Sequence, residues 1–328
     1  MFRLEDLTLF VRAAALGSFS DAAREAGQQP AQVSAAIKRL ETILNIRLFA
    51  RSTRSLRLTP EGETMLRYLN RIQTLEGDMK NELADVSGGS RGTLRLGIPV
   101  TRGNILLPGV VTDFQRRFPN VETEIRLSDT RNLEEQLLAG KLDLFLGVDT
   151  AQHALFSRQP ITSEPLYLVI SRGVLEKQFG DRYAAVRESF RRDGADLALL
   201  QGVPFVQGHS RSTATMAVEQ LLLRENISLA FPVRVSNFDL HIEFCHRNQC
   251  ATICSRSHIR KVMDLSDARL ETFAIRNPHQ KLQIELITHR DAQPLAYRTV
   301  FTELLRLRVL EEEADICGWL KERGIAAL

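Results

Sequence analysis

The chain has 328 residues, of which 44% are hydrophobic and 25% charged, with a formal net charge of +3. This is an ordinary globular balance with room for two or three domains. No stretch approaches the roughly 18 apolar residues of a membrane span, and the start, MFRLEDLTLF, has no signal-peptide core, so we expect a cytoplasmic protein with no membrane partner.

Positive charge is concentrated near the start of the chain. Residues 1–60 hold nine Lys or Arg against five Asp or Glu, and the remainder carries a net charge of −1. Within residues 38–57, six basic side chains stand against Glu41 alone. This patch indicates nucleic-acid binding, although a solvated basic face has the same composition.

Two short helices and a basic hairpin follow one another over residues 18–62. The first is predicted from Ser20 to Ala26, with small alanines on one face, and it stops at Gly27. The second opens at Pro30. Its apolar face recurs at steps of four, three and four residues: Val33, Ile37, Leu40 and Leu44. A hairpin with Arg51 and Arg54 near its tip completes the pattern of a winged helix-turn-helix.

The free face of the second helix and the hairpin are the predicted DNA contacts. The side chains there can hydrogen-bond base edges or neutralise phosphates. The predicted contact residues are Ser20, Gln28, Gln29, Pro30, Ala31, Gln32, Ser34, Ala35, Lys38, Arg39, Arg51, Thr53 and Arg54.

Residues 1–62 resemble the DNA-binding domain of the LysR-type transcriptional regulators. The family pattern runs from S-Q-P-A-x-S through I-x-x-L-E and R-L-F-x-R to L-T-x-x-G. Matching positions in this chain are Gln29-Pro30-Ala31, Ser34, Ile37, Leu40-Glu41, Arg47-Leu48-Phe49, Arg51, Leu58-Thr59 and Gly62. Gln28 stands where the family usually has serine, and this departure concerns base preference rather than fold.

One long amphipathic helix is predicted after the hairpin, within a linker spanning residues 61–91. Its apolar positions are Met65, Leu69, Ile72, Leu75, Met79, Leu83 and Val86. Such a stripe can pack on its own domain, but little core is available between two globular units. Dimerisation through this helix, which the resemblance also implies, is therefore the favoured interpretation, with a homotetramer as the further expectation. Residues 87–92 are a predicted hinge.

From residue 92 to about 300 the chain alternates apolar strands with helices, which predicts parallel sheets covered by helices. The predicted strands are 93–98, 121–127, 143–148, 166–171, 233–236, 251–255, 270–275 and 282–288, and the last helix is predicted to start near Pro294. The resemblance implies a two-lobed α/β effector domain like the periplasmic binding proteins, with crossings near Thr162–Pro165 and Ala268–Thr272. Lobe 1 is predicted to span 92–162 and 270–300, and lobe 2 to span 165–268. The longer connection at 172–200 and a helical extension at 301–328 depart from the family, and either could alter oligomer contacts or cover the cleft.

The cleft between the lobes is the predicted site for a small-molecule effector, an anion or carboxylate being a natural choice at helix starts. Residues at the ends of the predicted strands are the candidates, each of which could instead serve only a turn or a helix cap. They are Thr101, Ser128, Thr130, Gly147, Val148, Phe205, Gln207, His209 and Asn237.

The cysteines offer one alternative function. Cys245, Cys250 and Cys254 lie close in sequence and would allow a redox-responsive regulator, but a predicted helix–turn–strand separates their faces and argues against a metal. A second alternative is a small-molecule binding protein with a non-functional DNA head. No nucleophile-elbow, P-loop, zincin or dinucleotide motif occurs, so we expect neither an enzyme nor a cofactor. The favoured prediction is a regulator that contacts promoter DNA, an effector and the transcription machinery.

Overall fold

The computed structural model describes residues 2–50, 56–86, 91–248, 250–266, 268–276 and 281–325. These divide into two compact units, one comprising the chain through Val86 together with residues 136–142, and the other comprising the rest. Within the described ranges, none of the helices has the length and apolar character needed to cross a membrane.

The first unit is a three-helix head with a short hairpin and a long helix. Its elements are α1 (Leu4–Leu16), α2 (Phe19–Ala26), α3 (Pro30–Leu44), β1 (Phe49–Ala50), β2 (Arg57–Leu58) and α4 (Pro60–Val86). Ala22 and Ala23 are fully buried, so small side chains let α2 lie close to its neighbours. The hairpin is antiparallel, pairing Phe49 with Leu58. This is the predicted winged helix-turn-helix.

Helix starts in the head differ slightly from the sequence prediction. α2 begins at Phe19, one residue before the predicted start at Ser20, and Ser18 caps it by accepting a hydrogen bond from the Asp21 backbone N–H at 3.2 Å. Pro30 does open α3, where the Gln29 N–H donates to the Gln32 side chain at 2.9 Å. That bond satisfies a backbone donor that the helix itself leaves free.

The second unit contains two five-stranded sheets. The first sheet has the order β4-β3-β5-β12-β6, with β3 (Gly92–Ile98), β4 (Val121–Leu127), β5 (Leu144–Val148), β6 (Phe156–Glu164) and β12 (Leu282–His289). The second has the order β11-β7-β10-β8-β9, with β7 (Leu166–Ser171), β8 (Pro204–Gln207), β9 (Ala230–Arg234), β10 (Ala251–Ser255) and β11 (Leu270–Ala274). Both sheets are mixed rather than wholly parallel.

Helices cover both sheets, giving the two predicted α/β lobes. They are α5 (Val100–Arg117), α6 (Thr130–Leu138), α7 (Arg172–Phe179), α8 (Tyr183–Asp193), α9 (Thr213–Arg224), α10 (Phe238–Asn248), α11 (Ile259–Leu265) and α12 (Ala296–Glu322), with three short 3-10 turns. The extra segment at 172–200 supplies α7 and α8. Arg187 of α8 holds the buried Glu271 of β11 at 2.6 Å, which fastens this segment to the second sheet.

The lobes exchange the chain twice, and the second exchange is later than predicted. The first lies at Pro165, between β6 and β7, within the predicted range. The prediction at Ala268–Thr272 is wrong, because β11 pairs antiparallel with β7 and so belongs to lobe 2. The chain returns to lobe 1 only with β12.

The C-terminal helix contains residues 301–322 of the predicted helical extension, but it starts five residues earlier and is part of the core. α12 begins at Ala296, and its first half buries Tyr297, Phe301 and Leu305 in the core. Its second half buries Ile316 and Leu320 in the core of lobe 2. One helix therefore belongs to both lobes.

Candidate functional site

The outer face of α3 is free, as its amphipathic pattern predicts. Val33, Ala36, Ile37 and Leu40 are buried. The predicted contact residues on the other side are exposed: Gln28, Gln29, Pro30, Ala31, Gln32, Ser34, Ala35, Lys38 and Arg39. Ser20 is exposed near the start of α2. Arg51, Thr53 and Arg54 lie outside the described residues.

Arg39 differs from its neighbours on this face because it has an internal partner. Its guanidinium makes two hydrogen bonds to Asp6 of α1, at 2.5 and 3.0 Å, and the Asp6 side chain is buried. The hydrogen bond with Asp6 raises the pKa of Arg39. This pair ties α1 to α3, whereas no ion pair of Lys38 occurs within the described part of the head.

The base of the hairpin is held against α3 by Glu41. This carboxylate accepts hydrogen bonds from the Leu48 N–H at 2.8 Å and from the Arg47 guanidinium at 3.2 Å. Thr59 adds a hydroxyl bond to the Arg47 carbonyl at 2.6 Å. The base of the hairpin is thus fixed to α3 by side chains of the Leu40-Glu41 and Leu58-Thr59 motifs.

The apolar stripe of α4 serves two purposes. Met65 and Leu69 pack into the head, so this part of the stripe is core. Farther along, large apolar side chains are exposed at steps of four, three, four and four residues: Tyr68, Ile72, Leu75, Met79 and Leu83. This second part is an exposed apolar face of the single chain.

A cavity of about 400 Å³ lies between the two lobes. Residues from both lobes line it, as expected for a cleft at the ends of strands. Six of the predicted effector residues are among them: Thr101, Ser128, Thr130, Val148, His209 and Asn237. Thr101 lies in the first turn of α5 rather than in a turn before the helix.

Three other predicted residues do not line the cavity. Phe205 is fully buried in the core, and Gln207 turns inward to donate a hydrogen bond to Glu219 at 3.3 Å. Gly147 lies in β5, where an added Cβ would come within 2.2 Å of the Thr150 hydroxyl, so packing explains this glycine. Gln207 ends β8 and Gly147 lies next to the end of β5, whereas Phe205 lies inside β8 and not after it as predicted. None of the three presents a side chain to the cavity.

The sequence prediction missed Arg102, Phe238 and the segment Ser255–His258. Arg102 follows Thr101 on α5, Ser255 is the last residue of β10, and Ser257 and His258 come directly after that strand. The strand-end rule that found Ser128 could have found these, because β10 runs parallel to β8.

Four helices begin at the cleft. Val100, Thr130, Thr213 and Phe238 are the first residues of α5, α6, α9 and α10, and all four line the cavity. Unpaired N–H groups and the positive ends of helix dipoles favour an anion at such a place.

Arg102 and Asp129 are charged side chains that line the cleft, and Arg102 is already balanced within the protein. Arg102 forms a buried ion pair with Glu164, whose other oxygen accepts from the Ser257 N–H at 3.3 Å. Burial and the nearby Arg102 lower the pKa of His258 to about 3, so its ring is neutral near pH 7. Hydroxyls, helix N–H groups and the Phe238 ring, 4.4 Å from that of His258, are left to recognise a ligand.

Two family models match this chain. Residues 4–63 match the bacterial regulatory helix-turn-helix protein, lysR family, and residues 87–308 match the LysR substrate binding domain. The chain belongs to the LysR family. The descriptions of both models agree with the head and the two-lobed unit built from the geometry.

Individual relatives of this LysR protein are more distant. It is 33% identical over 167 residues to the HTH-type transcriptional regulator YofA of Bacillus subtilis (strain 168), a match that covers 51% of this chain and only 58% of YofA. Full-length OxyR from Pseudomonas aeruginosa has the same fold, with a TM-score of 0.69 at 19% identity, covering 94% of this chain and 95% of OxyR. CbnR complexed with its target DNA has a TM-score of 0.59 at 20% identity, covering 93% and 99%.

Metal binding finds no geometric support in the part of the chain that the structure describes, where no three His, Cys, Asp or Glu side chains are grouped to hold an ion. His241 and Cys245 lie on α10 and Cys254 lies on β10, with Cys250 immediately before that strand. His241 is occupied by Thr252 and the Val235 carbonyl at 3.1 and 3.0 Å.

Proposed function

We propose that this LysR protein binds promoter DNA through α3 and the wing, and that a small molecule in the cleft changes this binding. The observation that carries the proposal is the free face of α3, an exposed polar and basic surface on a helix whose other side is core. The dimensions of a major groove admit such a helix. The CbnR complex with its target DNA supports the same use of the fold.

The effector is proposed to be a small anion, such as a carboxylate. Four helix starts meet in the cleft, and its arginine is neutralised by Glu164, so N–H groups and hydroxyls would hold the anion. To act as an effector, the ligand must bind more tightly to one arrangement of the protein than to another, because equal affinity shifts nothing. Ligand contacts from both lobes provide a route to that difference.

The working form is proposed to be a homodimer paired through the exposed part of α4, with further assembly to a tetramer. The stripe from Tyr68 to Leu83 gives the apolar area, and two heads would then contact two related half-sites. The protein would act in the cytoplasm together with the transcription machinery, by binding and not by catalysis.

Lys38 tests the DNA-binding part of the proposal. Changing Lys38 to Ala should weaken binding to duplexes of any sequence, because a phosphate contact carries no base information, and should lower the salt slope of log K by about 1. The measurement is fluorescence anisotropy on a random-sequence duplex over a range of KCl concentrations. Lys177→Ala, which removes an exposed lysine from α7, is the matched control and should leave the slope unchanged.

A slope that Lys38→Ala does not alter would remove Lys38 from the DNA contact. If the unmodified chain also bound a genomic promoter pool no better than random DNA, the alternative of a small-molecule binding protein with a non-functional head would replace the proposal.

A further inference from the structure

Two thiols meet at the far end of α10 from the cleft. Cys245 lies in the last turns of this helix, and Cys250 lies just before β10. Their sulfur atoms are 3.8 Å apart, in hydrogen-bond contact, and both side chains are buried, with Cys250 6% exposed and Cys245 fully enclosed. A disulfide bond is about 2.05 Å long, so a small movement of the helix end would bring the sulfurs to bonding distance.

The two thiols are not equivalent. The hydrogen bond with Cys245 lowers the pKa of Cys250, while burial raises the pKa of Cys245. Cys250 is therefore the sulfur that loses its proton first, and it is also the less enclosed of the two. A thiolate with an adjacent thiol is the arrangement that favours attack on an oxidant followed by resolution to a disulfide.

We propose that Cys245 and Cys250 form a reversible dithiol–disulfide site that hydrogen peroxide oxidises. The Cys250 thiolate attacks a peroxide oxygen, the O–O bond breaks, and the departing hydroxide takes a proton to leave as water. Cys250 is then a sulfenic acid. The Cys245 sulfur attacks the Cys250 sulfur, the S–O bond breaks, and the hydroxide that leaves takes the Cys245 proton. Two thiols and one peroxide give one disulfide and two waters.

The other two cysteines have no such arrangement. Cys254 is fully buried in β10, and burial raises the pKa of its thiol. The Cys317 sulfur on α12 accepts from the Arg256 guanidinium at 3.3 Å. Among the described residues, neither makes a sulfur–sulfur hydrogen bond. Both therefore serve as internal references for the reactivity of the pair.

The site is placed where oxidation would affect the cleft. α10 begins there with Phe238, and the ring of His241 one turn later hydrogen-bonds to Thr252 of β10. A covalent bond at the other end of α10 would add a second tie between this helix and the same strand. The site itself is independent of the proposed effector function.

Peptide mapping of the full native chain tests the proposal. The protein is treated with stoichiometric hydrogen peroxide, its free thiols are alkylated, and the digest is analysed by mass spectrometry before and after dithiothreitol. We expect a reducible Cys245–Cys250 link, and alkylated Cys254 and Cys317. Cys245→Ala and Cys250→Ala should each abolish the link. Cys254→Ala, a buried neighbour on β10, should leave it in place.

Circular dichroism must show that each variant is folded. If a variant does not fold, the peptide map of the wild-type chain alone decides whether the link forms. The proposal is overturned if the folded wild-type chain shows no Cys245–Cys250 link after peroxide has oxidised Cys317, or if the link forms only in urea. If Cys254 or Cys317 entered a disulfide faster than the Cys245–Cys250 link formed, the redox chemistry would likewise belong to another site.

Discussion

His258 shows how one buried side chain can make the stability of the second unit depend on pH. It lies in the cleft wall, with its Nδ1 2.9 Å from the Ser255 hydroxyl and its ring beside Phe238. Removing the ring from water penalises the protonated form, so the folded protein keeps the ring neutral where the unfolded chain protonates it. Burial of a histidine in this way makes acid, not base, the destabilising condition.

Between the ordinary pKa of 6.5 and the folded value of about 3, the unfolded chain binds one more proton at His258. Stability is therefore full above this window and falls as the pH drops through it, by about 1.4 kcal/mol per pH unit. Urea unfolding from pH 7 to 4 should show this slope. His258→Asn keeps a hydrogen-bonding side chain but has no titrating group. Its free energy of unfolding should therefore lack the part of the pH dependence that comes from His258. Equal slopes in both proteins would refute the assignment.

Lys38 and Arg39 are adjacent and both basic, but the structure gives them different surroundings. Arg39 is held by Asp6, whereas Lys38 faces outward. Arg39→Ala should therefore lower the thermal stability of the head by leaving the buried Asp6 carboxylate without its partner. Its salt slope on random DNA should stay closer to wild type than that of Lys38→Ala. A larger loss of slope for Arg39→Ala than for Lys38→Ala would show that the pair opens on DNA.

At the scale of elements, the sequence predicted those helices and strands whose formation depends on a local pattern of residues. The apolar period of α3 identified its buried face, and the continuous apolar run of β10 gave a strand with the observed limits. β6 was missed because it is an edge strand, FSRQPITSE, largely polar and interrupted by Pro160. β11 was recognised as a strand but assigned to the wrong lobe, because its partner β7 is about a hundred positions away and no local signal names it.

The same limit applies to the cleft. Strand ends could be predicted, and six of the nine proposed effector residues line the cavity. Whether a side chain at a strand end faces the cleft depends on the pleat and on the packing of the next helix. Phe205 and Gln207 point inward for this reason, and the Arg102–Glu164 pair joins residues too distant in sequence for any local pattern to connect.

The exposed apolar face of α4 gives a test of assembly. Met79 is 53% exposed in the middle of the stripe, and a lysine there would place a charge in the proposed dimer interface. Met79→Lys should raise the dimer dissociation constant at least about tenfold, which equals about 1.4 kcal/mol. Analytical ultracentrifugation of the full chain is the measurement. Gln73→Lys, an exposed position of α4 outside the stripe, is the matched control. An unchanged association for Met79→Lys would mean that α4 does not pair through this face.

At the scale of the whole second unit, α12 is the main structural link. Phe301 packs against Phe114 of lobe 1, with ring centroids 5.1 Å apart, and Leu305 is fully buried one turn farther along. Leu320 is fully buried with lobe 2 residues. Between them, Glu312 and Glu313 pair with Arg260 and Arg256 beside the crossings. Because one helix completes both cores, neither lobe can lose it without exposing apolar surface in the other.

This coupling predicts a single unfolding transition. Leu305→Ala and Leu320→Ala should each cost about 2–5 kcal/mol. Trp319, the only tryptophan of the chain, lies in the lobe 2 half of α12, and its fluorescence should report both losses equally. Leu223→Ala, an 82% exposed position on α9, is the control and should change little. A Trp319 transition that moves with Leu320→Ala but not with Leu305→Ala would show that the lobes unfold separately.

The continuity of α12 also limits how the lobes can move. Two rigid bodies that are joined only by chain crossings can rotate relative to each other about those crossings. A rigid helix that is packed into both bodies, as α12 is here, prevents that rotation unless the helix itself bends or slides. In this protein, a lobe movement that starts at the cleft would therefore require α12 to bend. The size of that movement would be set by the stiffness of the helical turns around Glu312 and Glu313.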